Sequence, residues 1–470
     1  MNRIDTSVAK KLLHPFLGLM LLASPSIAFA HIGDFLGFGA RTMGLGGAGV
    51  TGDTSGFEAY HNPASLASDS KERLTFSWGL VFVRPSFLSI NHVVTQNTYV
   101  ADGQVYGTVD TQYRDTFGQI LGLSYKVLPD LGQFTVGLVA FLPLSQLAYM
   151  DSGQPYVPEY FLYRSGTQRP QFELGAGLKV LPGLRLGAGL HTAFGLTGNG
   201  SVFLNTKANS VSTMTFGASL KTVFSGYLGL LWSLGEAEGT GEQAQRKSQP
   251  WNLGLVYRSS ASSDFTLPMT ASARALGNAS LDYVFTASSS LFYDPAALET
   301  GASFAAGDHR WVAQVDYQFW SGFKVPALTL RPGQDSAQMN PGSVPSYNFL
   351  NILVPRAGWE WKLNSFHTLR IGYSYRPGTL KGLSNGPGNY LDPSKHVITA
   401  GWGFHFDTFL GFPIPSQLDI ALNYQQLLTQ KIVKTGGNEA GDMTDLKIGA
   451  PGYNAGGRLF GGAVSLALAF

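Results

Sequence analysis

The sequence contains no cysteine. That excludes disulfides, thiolate metal sites and thiol catalysis. Charged residues make up only 13% of the 470 positions, about half the share found in ordinary globular domains. After Ala30 no segment offers the roughly 18 uninterrupted apolar residues of a membrane helix. Charge runs and Pro/Ser-rich linkers are missing too, so nothing divides the chain, although its length alone would suggest roughly two or three domains. Nine histidines occur, but HExxH does not, and no catalytic residue, metal site or cofactor is expected. The net charge of +2 selects no class of partner, and none made of nucleic acid is expected.

What the chain does hold is glycine, at 58 positions, with 31 phenylalanines and 20 tyrosines. Its N-terminus carries Arg3, Lys10 and Lys11, then an apolar stretch from Leu12 that ends in Ala28-Phe29-Ala30. A basic start, an apolar middle and a small-x-small end make a cleavable export signal over 1–30, leaving His31 as the first mature residue. At the other end, Phe460, Val464, Leu466, Leu468 and Phe470 alternate with Leu459, Gly461, Ala463, Ser465, Ala467 and Ala469. One bulky apolar face opposite a face of mostly small residues suits a wall between hydrocarbon and a crowded interior.

Period-two alternation over roughly nine or more residues, the length of a tilted membrane strand, recurs in about fourteen segments. They lie near 73–83, 117–128, 132–143, 171–181, 184–195, 219–233, 251–259, 296–305, 310–318, 353–362, 368–376, 396–406, 416–425 and 458–470. Short turns such as Pro182-Gly183 alternate with long loops: 84–116, 144–170, 196–218, 260–295, 319–352 and 426–457. This predicts an all-β, antiparallel transmembrane barrel of about fourteen strands over 71–470, with short periplasmic turns and long external loops. An exported barrel of this kind belongs in the outer membrane of a Gram-negative cell, in contact with its lipid.

A barrel that wide has a lumen. The inward face would carry Lys126, Glu173, Lys179, Arg185, Glu299, Arg310, Asp316, Arg356, Glu360, Lys362, Arg370, Arg376 and Asp419. Both signs are interspersed, which predicts interior ion pairs; Arg356, Arg370 and Arg376 are also candidates to hold an anionic ligand head. The segment from His31 to Ser70 is too rich in glycine for a regular helix, yet it carries Phe35, Phe38, Met43, Leu45, Phe57 and Leu66, which need cover. Folding it inside the lumen as a hatch meets both requirements. Its Gly44 to Gly49 stretch matches GxGxxG formally, but no strand precedes it, so it is not a dinucleotide site. Pro63 forces Asn62 out of helical backbone, and Asn62 can bond local backbone to hold a tight turn.

Gly39 to Gly44 (GARTMG), Thr54 to Ala64 with its Asn62-Pro63-Ala64, Gly254 to Ser259 (GLVYRS), Val315 to Ser321 and Leu369 to Tyr373 (LRIGY) together resemble the FadL/TodX family of outer-membrane transporters for long-chain fatty acids and other hydrophobic compounds. The resemblance implies capture by external loops, binding in the lumen and lateral release past the hatch. Asn62, Pro63 and Ala64 would form the hatch turn. Pro143, which ends the third strand, matches the family's proline near the lateral gap; it also reads simply as a strand terminator. The expected partners are a fatty acid or other hydrophobic small molecule and, during biogenesis, the barrel-assembly machinery. The glycine-rich start and NPA turn also resemble PorV-like secretion barrels, which would bind protein partners instead. Tyr149, Tyr156, Tyr160, Phe161 and Tyr163 could line a capture groove or belong to a membrane-rim girdle.

Overall fold

The computed structural model describes residues 38–52, 55–68, 72–96, 105–128, 133–145, 157–163, 169–205, 213–234, 251–274, 280–323, 329–332, 347–384, 388–434 and 448–470. The expected export signal lies outside these residues, as do Tyr149 and Tyr156.

Alternation decides the architecture. In the strand Ser416–Val433, Asp419, Ala421, Asn423 and Gln425 are buried, whereas Ile420, Leu422 and Tyr424 are exposed. Ile371 is 54% exposed while its neighbour Arg370 is 2% exposed. A protein in water places these residue types the other way round. Apolar outside and polar inside is the pattern of a wall whose outer solvent is lipid.

Fourteen strands form that wall: β1 Leu74–Phe87, β2 Thr116–Leu128, β3 Phe134–Pro143, β4 Gln171–Leu181, β5 Leu184–Asn205, β6 Thr213–Leu234, β7 Trp251–Arg258, β8 Ala297–Ala306, β9 His309–Gln318, β10 Ile352–Lys362, β11 His367–Arg376, β12 Lys395–Phe406, β13 Ser416–Val433 and β14 Gly452–Ala469. Each pairs antiparallel with the next. β14 returns to β1, with Thr75 opposite Ala469 and Phe87 opposite Gly457, which closes the barrel. Closure leaves no open edge, so the backbone of the spanning region is satisfied without water.

All fourteen expected segments are strands, but five expected loops need correction. β5 and β6 run through the expected loop 196–218, and β13 and β14 enter the expected loop 426–457. Hairpins occupy Ile90–Gln96 with Val105–Val109 and Ala261–Arg274 with Ser280–Asp294, and Thr329–Pro332 pairs with the second of these. The reason is physical. Alternation marks a strand only where one face meets lipid; beyond the membrane, polar stretches such as Gly198-Asn199-Gly200-Ser201 still pair with the neighbouring strand without a period to announce them.

Candidate functional site

Residues 38–52 and 55–68 are almost wholly buried, and their neighbours are the inward faces of the wall. Helix α1 (Ala40–Gly44) lies against β11 to β14. A second short helix, α2 (Glu58–His61), leads into a 3₁₀ turn at Pro63–Leu66 that rests on β3 to β6.

Glycine makes the fit possible. A Cβ on Gly122 of β2 would stand 2.2 Å from the Gly56 carbonyl oxygen, and one on Gly187 of β5 would stand 2.3 Å from the Ala64 nitrogen. On Gly229 of β6 it would meet Asn62 Oδ1 at 2.2 Å, on Gly254 of β7 the Val50 oxygen at 2.2 Å, and on Gly372 of β11 the Gly46 nitrogen at 2.0 Å. A Cβ on Gly137, Gly177, Gly301, Gly358 or Gly401 would also run into the same segment, at 2.5 to 3.1 Å. The lumen thus has a waist of side-chain-free positions into which this backbone is pressed.

Polar bonds lock it there. Asn62 is extended (φ −156°, ψ 109°), as a residue before proline must be. Its Oδ1 accepts from the Ala64 N–H at 3.0 Å, capping its own turn; its Nδ2 donates to the Val50 carbonyl at 2.8 Å and to the Leu230 carbonyl of β6 at 3.1 Å. One side chain therefore closes the turn, ties it to the preceding backbone and fastens both to the wall. Pro63 takes the first 3₁₀ position and Ala64 is fully buried. The Ala40 N–H donates to Ser465 Oγ of β14, and Ser77 Oγ of β1 donates to the Ser55 carbonyl.

Charges around the lumen are paired, as expected. Arg370 reaches Glu360 and Asp419, both at 2.6 Å, and Glu360 also holds Arg41 of α1 at 3.1 Å. Arg356 pairs with Asp316 at 2.6 Å and donates to the Gly46 carbonyl. Arg356 therefore grips the N-terminal segment directly, and Arg370 reaches it through Glu360, which it shares with Arg41. Sequence reasoning passed over the inward charges of Arg258 and Arg41. Both lay inside quoted motifs, and strand parity from the outward Tyr257 would have turned Arg258 inward. Arg258 sits between Glu299 and Glu173, at 2.6 and 3.5 Å, and donates to the carbonyls of Tyr60 and His61.

Arg376 is placed differently. It ends β11 on the loop side, pairs with Asp392 at 2.8 Å and lies 5.5 Å from the Trp320 ring centre. Its Nη2 is buried and has no hydrogen-bond partner. Around it the loops pool their aromatics. Phe87 stacks on Tyr160 with centroids 3.9 Å apart, Phe161 stacks on Tyr390 at 5.3 Å, and Phe323 meets Tyr293 and Phe349 edge-on at 4.3 and 4.7 Å. Tyr160, Phe161 and Tyr163 thus pack within this cluster rather than on the membrane rim. Burial pushes the Tyr160 phenol up to about 12 and raises that of Tyr163 as well, so both stay uncharged well into the alkaline range.

The wall has a low point beside this cluster. Pro143 is buried and ends β3 opposite Gly118, and the β3–β4 ladder stops at Phe141 and Gln171. Among the described residues, the β4-facing edge of β5 has no ladder partner between Ala193, opposite Gln171, and Gly200, opposite Met269 of the external hairpin.

No protein-family model matches the chain. Alkane uptake protein A of Marinobacter nauticus is 29% identical over 181 residues, which are 38% of this chain and 38% of that protein. This chain thus matches well under half the length of that curated relative. A Pseudomonas aeruginosa FadL homologue superposes over 95% of this chain and 99% of its own, with a TM-score of 0.55 and 14% identity. The Pseudomonas putida toluene transporter TodX superposes over 92% and 98%, with a TM-score of 0.52 and 16% identity. Nearly the whole barrel follows these two crystal structures, and the chain has the fold of the FadL/TodX outer-membrane transporters.

Proposed function

We propose that this barrel takes up hydrophobic compounds across the outer membrane. A molecule is captured among the external loops, held in the aromatic cluster above the N-terminal segment, and released sideways through the low stretch of wall beside Pro143. The observation that carries this reading is the pairing of a sealed waist with a buried aromatic cluster among the loops above it. A passage blocked by a bonded, close-packed segment does not suit free diffusion of water-soluble solutes, whereas an apolar molecule entering from above needs only a side exit into lipid. In this scheme residues 31–70 are the hatch, Asn62, Pro63 and Ala64 fix its turn, and Pro143 frees the top of β3.

The charge pairing favours a neutral cargo. Arg356 and Arg370 serve the hatch, and Arg376 is matched by Asp392, so this cluster offers a carboxylate no uncompensated arginine. What Arg376 still offers is the two N–H of its buried Nη2 and a guanidinium face beside Trp320. That suits a hydrocarbon, the cargo named for the relatives, better than a fatty acid.

The test is uptake of labelled hexadecane and palmitate by cells making the chain or an empty vector. Hexadecane accumulation is expected to rise above the vector level, and Arg376→Gln is expected to stay within about twofold of the parent chain, since an alkane makes no hydrogen bond there. If palmitate alone accumulates, and Arg376→Gln cuts it roughly tenfold, as losing a charged hydrogen bond would, the cargo is an acid. A barrel that moves neither compound refutes the proposal.

A further inference from the structure

The turn between β12 and β13 is built unlike its neighbours. Phe409 and Phe412 exchange both backbone hydrogen bonds at 2.9 Å, with Leu410 (φ +50°) and Gly411 (φ +85°) between them. Positive φ at both central positions is the geometry of a tight hairpin, and glycine takes the second at little steric cost. The tip carries large apolar side chains into the open: Leu410 is 83% exposed and Phe412 is 64% exposed.

Three observations say what covers this tip. The lipid-facing side of β12 carries Ile398, Trp402 and Phe406, all exposed, and the turn prolongs that stripe beyond the barrel base. Phe366, exposed in the adjoining turn, lies beside it, for the His405 N–H donates to the Phe366 carbonyl. The apolar surface is therefore continuous with the membrane belt. Second, much of the backbone flanking the tip is already bonded within the barrel. Besides the Phe409–Phe412 pair, the Ile414 N–H donates to the Phe412 carbonyl and the Pro415 carbonyl accepts from Ala469, while Pro413 and Pro415 carry no N–H. That leaves a partner adding a strand little to bond, and the backbone of Leu410 and Gly411 at the tip suits the hydrated interface rather than the hydrocarbon core. Third, Asp407 is the only charge between β12 and β13, and it stands at the start of the turn rather than at its tip.

We infer that the Phe409–Phe412 turn is an anchor that dips into the interface of the periplasmic leaflet and holds the barrel's height and tilt on the β11–β13 side. The occupant of this surface is lipid. The inference rests on reading the chain as a membrane-spanning barrel.

The absence of cysteine makes the test clean. Single variants Leu410→Cys and Phe412→Cys carry a nitroxide, as do Leu422→Cys on the lipid-facing wall and Asp308→Cys in the exposed turn between β8 and β9. The barrels are reconstituted in vesicles of phosphatidylethanolamine and phosphatidylglycerol. Power saturation compares collisions with oxygen, which concentrates in lipid, and with a water-soluble nickel chelate. At 410 or 412 the oxygen-to-nickel ratio is expected to lie several-fold above that at 308, in the direction of 422. Ratios at both positions equal to that at 308 would place the tip in water and overturn the anchor. A ratio at 422 as low as at 308 would overturn the spanning barrel itself, which separates the two failures.

Discussion

Valine at Gly187 and Gly229 is expected to unseat the N-terminal segment and turn a silent barrel into a conducting one. At Gly187 the new Cβ would lie 2.3 Å from the Ala64 nitrogen and from the Pro63 carbonyl carbon; at Gly229 it would lie 2.2 Å from Asn62 Oδ1 and 2.8 Å from Pro63 Cδ. Backbone and ring atoms cannot swing aside as a long side chain does. Overpacking of this kind costs about 1–3 kcal/mol per site, and the load falls on the less constrained party. β5 and β6 are held by a ladder running from Leu184–Trp232 to Phe203–Thr213, whereas the turn is fastened to the wall chiefly by the Asn62–Leu230 bond. Planar-bilayer recording is the readout, with steps of current expected where the parent gives none. Gly226→Val is the control, since it lies in the same strand and its Cβ would have no neighbour nearer than 3.9 Å. Silent double-valine barrels that still migrate as folded on gels would mean the waist has slack that the distances do not suggest.

The wall was legible because lipid writes on it. Leu418, Ile420, Leu422 and Tyr424 alternate with Asp419, Ala421 and Asn423, and no soluble strand tolerates that burial the wrong way round. The Asn62-Pro63-Ala64 turn was legible for a local reason, since proline restricts its predecessor and asparagine bonds nearby backbone. The external hairpins were not, because beyond the lipid a strand need not alternate: in the first of them Val93 and Val94 are adjacent and both buried, which leaves no period to read. Nor was the waist. Gly229 and Gly226 look alike in a sequence, and only the fold reveals that one faces Asn62 and the other open space. The three lumenal arginines divide for the same reason. Their inward direction follows from parity, but whether each meets a carboxylate, the N-terminal segment or an aromatic ring depends on strands distant in sequence. Arg376, for example, finds Asp392 on a loop that carries no periodic signal.

Arg258→Met is expected to be the most damaging single change in the lumen. The guanidinium lies 2.6 Å from Glu299 and 3.5 Å from Glu173, donates to the Tyr60 and His61 carbonyls, and has the rings of Tyr60 and Tyr227 at 5.0 and 5.2 Å. It therefore does two jobs, neutralising two buried carboxylates and pinning the end of α2 to β7. Removing one partner of a buried ion pair costs about 3–5 kcal/mol, mostly because the remaining charge has lost its compensation. Here two carboxylates would face each other across the gap. Denaturant unfolding in detergent should register a loss of about that size. A triple variant adding Glu173→Gln and Glu299→Gln separates the jobs. With the stranded charges gone, most of the barrel's stability should return, yet the Tyr60 and His61 carbonyls still lack their donor. The N-terminal segment should then remain more open to limited proteolysis than in the parent. If the single variant unfolds like the parent, the cluster contributes little. If the triple variant recovers nothing, the loss comes from the pin and the rings rather than from the charges.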